Sequence, residues 1–198
     1  MPHYFDENPS TEHRPAEWQI RFRGQDFRFL TDSGVFSRRR LDFGSELLIE
    51  TVIRDQGKLA GRLLDLGCGY GPIGIVLKRL FPALEVVLAD VNTRALDLAR
   101  QNVRLNQTLY LEICQSDGLQ SVAGDFNFIL LNPPIRAGKA VVYRLFAEAA
   151  ERLRPGGRLY VVIQKKQGAQ SALRQLQALC GSAAVIERQA GYWILQAG

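Results

Sequence analysis

The feature that most restricts what this chain can fold into is Leu64-Asp65-Leu66-Gly67-Cys68-Gly69-Tyr70-Gly71-Pro72-Ile73-Gly74. An apolar run enters it and a helical pattern leaves it. The glycines at 67, 69, 71 and 74 let backbone come close to a ligand where a β-carbon would collide. So many glycines exceed what a plain strand-to-helix turn needs. The stretch therefore predicts an α/β unit with a ligand loop at the end of its first central strand.

The rest of the chain sets the scale. Its 198 residues, 46% hydrophobic and 23% charged, suit one globular domain with a full core. No apolar run approaches the roughly 20 residues that span a bilayer, and the first residues are polar, so the expectation is a cytoplasmic protein without a membrane partner. Cys68, Cys114 and Cys180 form no C-x-x-C pair, and His3 and His13 lie near a loose end, so reduced thiols and no metal are expected. A formal net charge of +5 favours an anionic partner without naming one.

Residues 1–16 mix charge with proline and lack periodicity, which reads as an arm. Trp18, Ile20 and Phe22 then alternate with Gln19, Arg21 and Arg23, and a turn at Gly24-Gln25 leads to Phe27, Arg28, Phe29 and Leu30. The pattern predicts an N-terminal β-hairpin with an aromatic face and an arginine face. The polar segment 31–37 follows, then Arg38-Arg39-Arg40 and a helix over about 45–53, a placement that suits a lid. We divide the chain into an arm, hairpin and lid over 1–44 and a catalytic unit over 45–198, within one structural domain.

From Gly61 strands and helices alternate. Strands are expected at 62–66, 84–90, 110–114, 126–131 and 159–163, with a closing hairpin at 184–187 and 192–195. Asn92 should cap the helix after the second strand and Asn106 should end it. Pro155-Gly156-Gly157 should stop the helix after the fourth. The expected fold is α/β, a Rossmann-like doubly wound sheet of seven strands, mostly parallel with a C-terminal antiparallel hairpin.

In such sheets ligands lie beyond the carboxyl ends of the strands. There this chain places Asp65 with the glycines, Asp90, Asp117-Gly118, and Asn132-Pro133-Pro134-Ile135. Two cofactors compete. Gly69-x-Gly71-x-x-Gly74 with Asp90 downstream is the spacing of a dinucleotide fingerprint, which would make an NAD(P)-dependent oxidoreductase. Asp65, however, would repel a pyrophosphate and suits the cationic amino group of S-adenosylmethionine.

These residues resemble class I S-adenosylmethionine-dependent methyltransferases. Asp65 through Gly71 looks like the D-x-G-x-G-x-G motif, Asp90 like the ribose-binding acid, and Asp117 like the adenine-contacting acid. Asn132-Pro133-Pro134-Ile135 looks like the N-P-P motif of the branch that methylates exocyclic or amide nitrogen. Ser33 through Ser37, Asn132 through Lys139 and Gln164 through Gly168 resemble the short, single-domain members of the small-subunit ribosomal RNA guanine-N2 methyltransferase family. Longer members carry an additional N-terminal half. The resemblance implies S-adenosylmethionine as cofactor, held by Asp65, Gly67, Cys68, Gly69, Gly71, Asp90, Asn92, Asp117, Gly118 and Asn132. It implies rRNA methylation, a step of rRNA processing, with ribosomal RNA or the small subunit as partner.

The chemistry fits those residue types. The lone pair of guanine's exocyclic amine is delocalised into the ring, so an enzyme must gather and aim it. The side-chain oxygen of Asn132 and the carbonyl of Pro133 would each accept an N–H, with Pro134 stiffening the turn and Ile135 giving the base apolar contact. Arg38, Arg39, Arg40, Arg136, Lys139, Lys165 and Lys166 are the candidate phosphate contacts. A protein glutamine methyltransferase and an RNA-binding assembly module without turnover stand as alternatives.

Overall fold

The computed structural model describes residues 12–37 and 40–198. Arg38 and Arg39, expected to contact phosphate, lie outside the described residues, as does most of the expected arm.

The hairpin forms as β1, Ala16–Phe22, and β2, Gln25–Thr31, in antiparallel register with Trp18 opposite Phe29 and Ile20 opposite Phe27. Its turn sits one residue earlier than expected. Arg23 and Gly24 both take positive φ, +47° and +79°, which is the tight turn whose twist matches the strands it joins. Trp18, Phe22, Phe27 and Phe29 are buried in one core cluster with residues of the main sheet. The opposite face is a surface of ion pairs, Arg28 with Glu17 at 2.8 Å and Arg21 with Asp26 at 3.8 Å.

Seven strands form the main sheet: β3 (Gly61–Leu66), β4 (Leu84–Asp90), β5 (Glu112–Gln115), β6 (Phe126–Leu131), β7 (Leu153–Gln164), β8 (Ala183–Gln189) and β9 (Tyr192–Ala197). Their order is β5-β4-β3-β6-β7-β9-β8, parallel from β5 to β7 and antiparallel through β9 and β8. Alternation builds two cores on this sheet. Leu63, Leu88, Leu130 and Val162 face one side, while Leu64, Val87, Ile129 and Val161 face the other.

Among the described residues, five helices cover the sheet. α1 (Phe43–Gln56), α2 (Pro72–Leu80) and α3 (Thr93–Leu105) contribute to the first core, and α4 (Lys139–Glu151) and α5 (Ala169–Cys180) to the second. α1 begins two residues before the expected start because Asp42 caps it, accepting the Ser45 N–H at 3.1 Å. Asn92 caps α3 as expected, accepting the Ala95 N–H at 3.1 Å, and Asn106 ends it.

β3 starts one residue early at Gly61, the closing hairpin runs longer than expected, over Ala183–Gln189 and Tyr192–Ala197, and β5 and β7 differ at their starts. β5 starts at Glu112 because Tyr110 takes φ +70° and projects into solvent, 93% exposed. β7 begins at Leu153 rather than 159, so Pro155-Gly156-Gly157 interrupts its pairing without ending it. The pairing register with β6 jumps from Phe126–Leu153 to Phe128–Arg158, and Gly156 takes φ +76° within that jump.

Asn102 and Asn106 dock the hairpin. Asn102 accepts the Leu30 N–H at 2.7 Å and donates to the Leu30 carbonyl at 3.0 Å; Asn106 does the same for Arg28 at 3.0 and 2.7 Å. Each amide thus acts as a short strand neighbour for β2. Asn102→Ala leaves buried backbone polar groups without partners, and we expect a loss of about 2 kcal/mol in urea unfolding. A loss below about 0.5 kcal/mol would contradict this docking role.

Candidate active site

β4 lies on one side of β3 and β6 on the other, so strand order reverses between β3 and β6. Leu66 and Leu131, the last residues of those two strands, sit side by side. The loops leaving β3, β4, β5 and β6 converge on one crevice, a cavity of about 400 Å³ lined by the glycine loop, Asp90, Ser116-Asp117-Gly118 and Asn132-Pro133-Pro134, with Val35-Phe36-Ser37 at its mouth.

The glycines divide into two uses. Gly67 and Gly69 take φ of +69° and +58°, and a β-carbon on either would meet nothing within 4 Å, so their freedom lets backbone turn beside open space. Gly74 serves packing, because a β-carbon there would stand 2.3 Å from Leu88 Cδ2. Asp90 locks the loop to β4: it accepts the Gly69 N–H at 2.7 Å and the Asn92 N–H at 2.9 Å. Burial pushes its carboxyl pKa up, against the pull of backbone N–H groups of Asn92, Gly69 and Val91.

Asp65, expected to contact a cofactor directly, is buried beneath the loop and is not among the residues that line the cavity. Its carboxylate accepts the Gly74 N–H at 2.9 Å, within the first turn of α2. That occupies the helix terminus where a dinucleotide pyrophosphate would bind. Among the described residues the charged members of the wall are Asp42, Asp90, Asp117 and Arg144, and Arg144 is engaged by Asp117 at 2.6 Å and Glu148 at 2.7 Å. A wall of three carboxylates and one paired arginine suits a cationic ligand and opposes a diphosphate.

Asn132 is held by two residues that sequence reasoning missed. Its Nδ2 donates to Ser45 Oγ at 3.0 Å and to Asp42 Oδ1 at 3.4 Å. A carboxylate only accepts, so the amide must turn its NH2 toward Asp42, leaving Asn132 Oδ1 without a hydrogen bond from the described residues. Pro134, at φ −75° and ψ 77°, forms an inverse γ-turn in which Ile135 N–H donates to the Pro133 carbonyl at 2.8 Å. The second lone pair of that carbonyl remains for a ligand. A signal for Asp42 was present, since an Asp just before an apolar helical run is an N-cap residue, whereas none marked Ser45.

The segment at the mouth is tied down. Tyr70 Oη donates to the Ser37 carbonyl at 2.9 Å, Asn92 Nδ2 to the Gly34 carbonyl at 3.0 Å, and Arg94 to the Ser33 carbonyl at 3.0 Å. Asn92, expected as a cofactor contact, caps α3 and anchors the mouth segment, and is not among the residues that line the cavity. Gly71 and Ile135 also lie off the cavity wall: Gly71 starts α2 at φ +91°, and Ile135 packs against the second core. Gly67, Cys68, Gly69, Asp90, Asp117, Gly118, Asn132, Pro133 and Pro134 line the cavity as expected.

Arg40, Arg136, Lys139, Lys165 and Lys166 are exposed, with Lys139 Nζ 5.0 Å from the Tyr143 ring centroid. Arg136 and Lys139 follow the Asn132 turn, and Lys165 and Lys166 follow β7, so these four share the sheet edge that carries the cavity. Among the described residues no group of three His, Cys, Asp or Glu side chains gathers as a metal site would, and no helix is long and apolar enough to cross a membrane.

Comparison with known proteins agrees with this geometry. Residues 26–196 match the methyltransferase small domain family. The uncharacterized protein YbxB of Bacillus subtilis (strain 168) is 44% identical over 98% of this chain and 97% of its own length. Ribosomal RNA small subunit methyltransferase C of Pasteurella multocida (strain Pm70) is 40% identical over 69% of this chain and 42% of its own. Among solved structures, the T. thermophilus 16S rRNA N2 G1207 methyltransferase RsmC, in complex with AdoMet and guanosine, superposes with a TM-score of 0.83 at 27% identity. That match covers 96% of this chain and 51% of the RsmC chain, so this chain spans about half the length of these named methyltransferases. With its crevice at the strand reversal and its acidic, glycine-lined wall, the chain belongs to the methyltransferase small domain family, and its cofactor is S-adenosylmethionine.

Proposed function

We propose that this chain methylates an exocyclic amine of ribosomal RNA, the N2 of a guanine in the small-subunit RNA. The observation that carries the reading is Asn132. Its NH2 is committed to Ser45 and Asp42, its Oδ1 receives no hydrogen bond from the described residues, and Asn132 stands on the wall of the cofactor cavity.

S-adenosylmethionine, when bound, supplies a methyl group on a positively charged sulfur. Asp90, on the cavity wall, would accept hydrogen bonds from its ribose, and Gly67 and Gly69, where a β-carbon would meet nothing within 4 Å, would let it come close to the backbone. On the acceptor side, Asn132 Oδ1 and the Pro133 carbonyl each take one N–H of the amine. Both hydrogens then point away from the donor, and the nitrogen lone pair turns toward it. The amine becomes acidic only as the methyl arrives, so the site needs no strong base beforehand. A base reaching this crevice must be unpaired or turned out of its helix. Arg40, Arg136, Lys139, Lys165 and Lys166, with Arg38 and Arg39, would hold the backbone that delivers it. The names of the small-subunit relatives and the guanosine in the RsmC complex support this substrate.

The test supplies the chain with radiolabelled S-adenosylmethionine and, in parallel, small ribosomal subunits, naked RNA and total protein. Label in N2-methylguanosine of small-subunit RNA is expected. Label confined to protein would overturn the reading in favour of a glutamine amide acceptor.

A further inference from the structure

Asp42 lines the same cavity as Asn132, and its two oxygens are used unequally. Oδ1 accepts the Ser45 N–H at 3.1 Å and faces Asn132 Nδ2 at 3.4 Å, whereas Oδ2 receives no hydrogen bond from the described residues. The charge of Asp42 is felt within the site, where it adds to burial in raising the Tyr70 phenol pKa. Asn132, Pro133 and Asp42 line one cavity, and each keeps an acceptor that the described residues do not saturate: Asn132 Oδ1, the second lone pair of the Pro133 carbonyl, and Asp42 Oδ2.

An edge made only of acceptors selects among the bases. Adenine, cytosine and guanine all carry an exocyclic amine, so Asn132 and Pro133 alone would admit any of them. What differs is the ring nitrogen beside it. Adenine N1 and cytosine N3 are unprotonated and present a lone pair, while guanine N1 carries a hydrogen. A carboxylate beside the amine repels the first two and accepts a hydrogen bond from the third.

We propose that Asp42 is the specificity-determining residue, reading the ring N–H next to the amine and so restricting transfer to guanine. The inference rests on the exocyclic-amine reading above and names the residue that chooses among amines. By capping α1 and facing Asn132 Nδ2, Asp42 is held in place on the cavity wall before any substrate arrives.

The experiment first maps the methylated guanine, then assembles the same RNA by ligation with 2-aminopurine at that position. This base keeps the 2-amine but has an unprotonated N1. Rates on the two RNAs are compared for the wild type and for Asp42→Asn, which retains a good helix cap and can turn an NH2 toward an unprotonated N1. Any difference in intrinsic reactivity of the 2-aminopurine amine, and its missing O6, cancel between the two proteins. We expect the guanine-to-2-aminopurine rate ratio to fall at least about tenfold in Asp42→Asn. A role confined to capping α1 or steadying Asn132 would lower both rates equally, and an unchanged ratio overturns the proposal.

A second measurement needs no variant. RNA with inosine at the mapped position, which has the N1–H but no amine, should inhibit the wild type at least about tenfold better than RNA with O6-methylinosine, whose N1 is unprotonated. Equal inhibition overturns the proposal as well. Should the wild type label RNA at adenine or cytosine instead, the guanine reading itself fails. Should it label guanine with an unmoved ratio, only the role of Asp42 fails.

Discussion

Asn132→Ala is expected to lower turnover about 100-fold, the loss of roughly 2.7 kcal/mol of transition-state stabilisation, with affinity for S-adenosylhomocysteine held within about threefold. The separation comes from where the side chain is held. Asn132 is tied to Ser45 and Asp42 on the α1 side of the crevice, while the glycine loop and Asp90 sit at the ends of β3 and β4. Removing the amide takes away one of two acceptors for the amine and leaves the other wall intact. Single-turnover rates and calorimetry on the same preparation separate the two effects. Unchanged turnover would refute the role given to Asn132, and a parallel loss of cofactor affinity would place it in cofactor binding.

The second large effect concerns pH. Burial pushes the Asp65 carboxyl up to about 7, with the Asp90 charge adding to the rise and the Gly74 N–H opposing it. Its ordinary value is 3.8. Between those values the folded chain binds more protons than the unfolded one, so stability falls as pH rises toward 7 and levels off above it. The full span is on the order of 4 kcal/mol for this group. Asp65→Asn keeps an acceptor for Gly74 and removes the titration. The wild type should therefore lose on the order of 2–4 kcal/mol more than Asp65→Asn between pH 5 and pH 8 in urea unfolding. Parallel curves for the two proteins would show that Asp65 ionises freely. A cationic ligand favours the ionised carboxylate, so affinity for S-adenosylmethionine should also rise through this range in the wild type and flatten in the variant.

Strongly periodic stretches were legible in the sequence. The near-continuous apolar runs of β4 and β6 marked their bounds to the residue, because burial on both faces leaves few polar positions to blur an edge. Asn92 and Asn106 marked the ends of α3 for the same local reason, their side chains competing for backbone at helix termini. The extra length of β7 was hidden, since Pro155-Gly156-Gly157 carries a stop signal that tertiary pairing with β6 overrides.

The site was legible as a set of strand ends and less so as a set of directions. A sequence places Asp65, Asn92 and Ile135 at the right edge of the sheet. Which way each side chain turns is decided by what lies beneath: a helix terminus for Asp65, the α3 start and the mouth segment for Asn92, the second core for Ile135. Asp42 and Ser45 stand nearly ninety positions before Asn132, and only the closed fold brings them within hydrogen-bonding distance. Local pattern marked a helix start there and carried no information about its distant partner.

The most direct test of the whole account is made on RNA from cells. Small-subunit rRNA from a strain lacking this gene, compared by mass spectrometry with its parent, should lack N2-methylguanosine at one position. The wild-type gene should restore it and the Asn132→Ala allele should not. Identical modification in the deletion strain and its parent would contradict the central claim that this crevice brings a methyl donor and a guanine amine together.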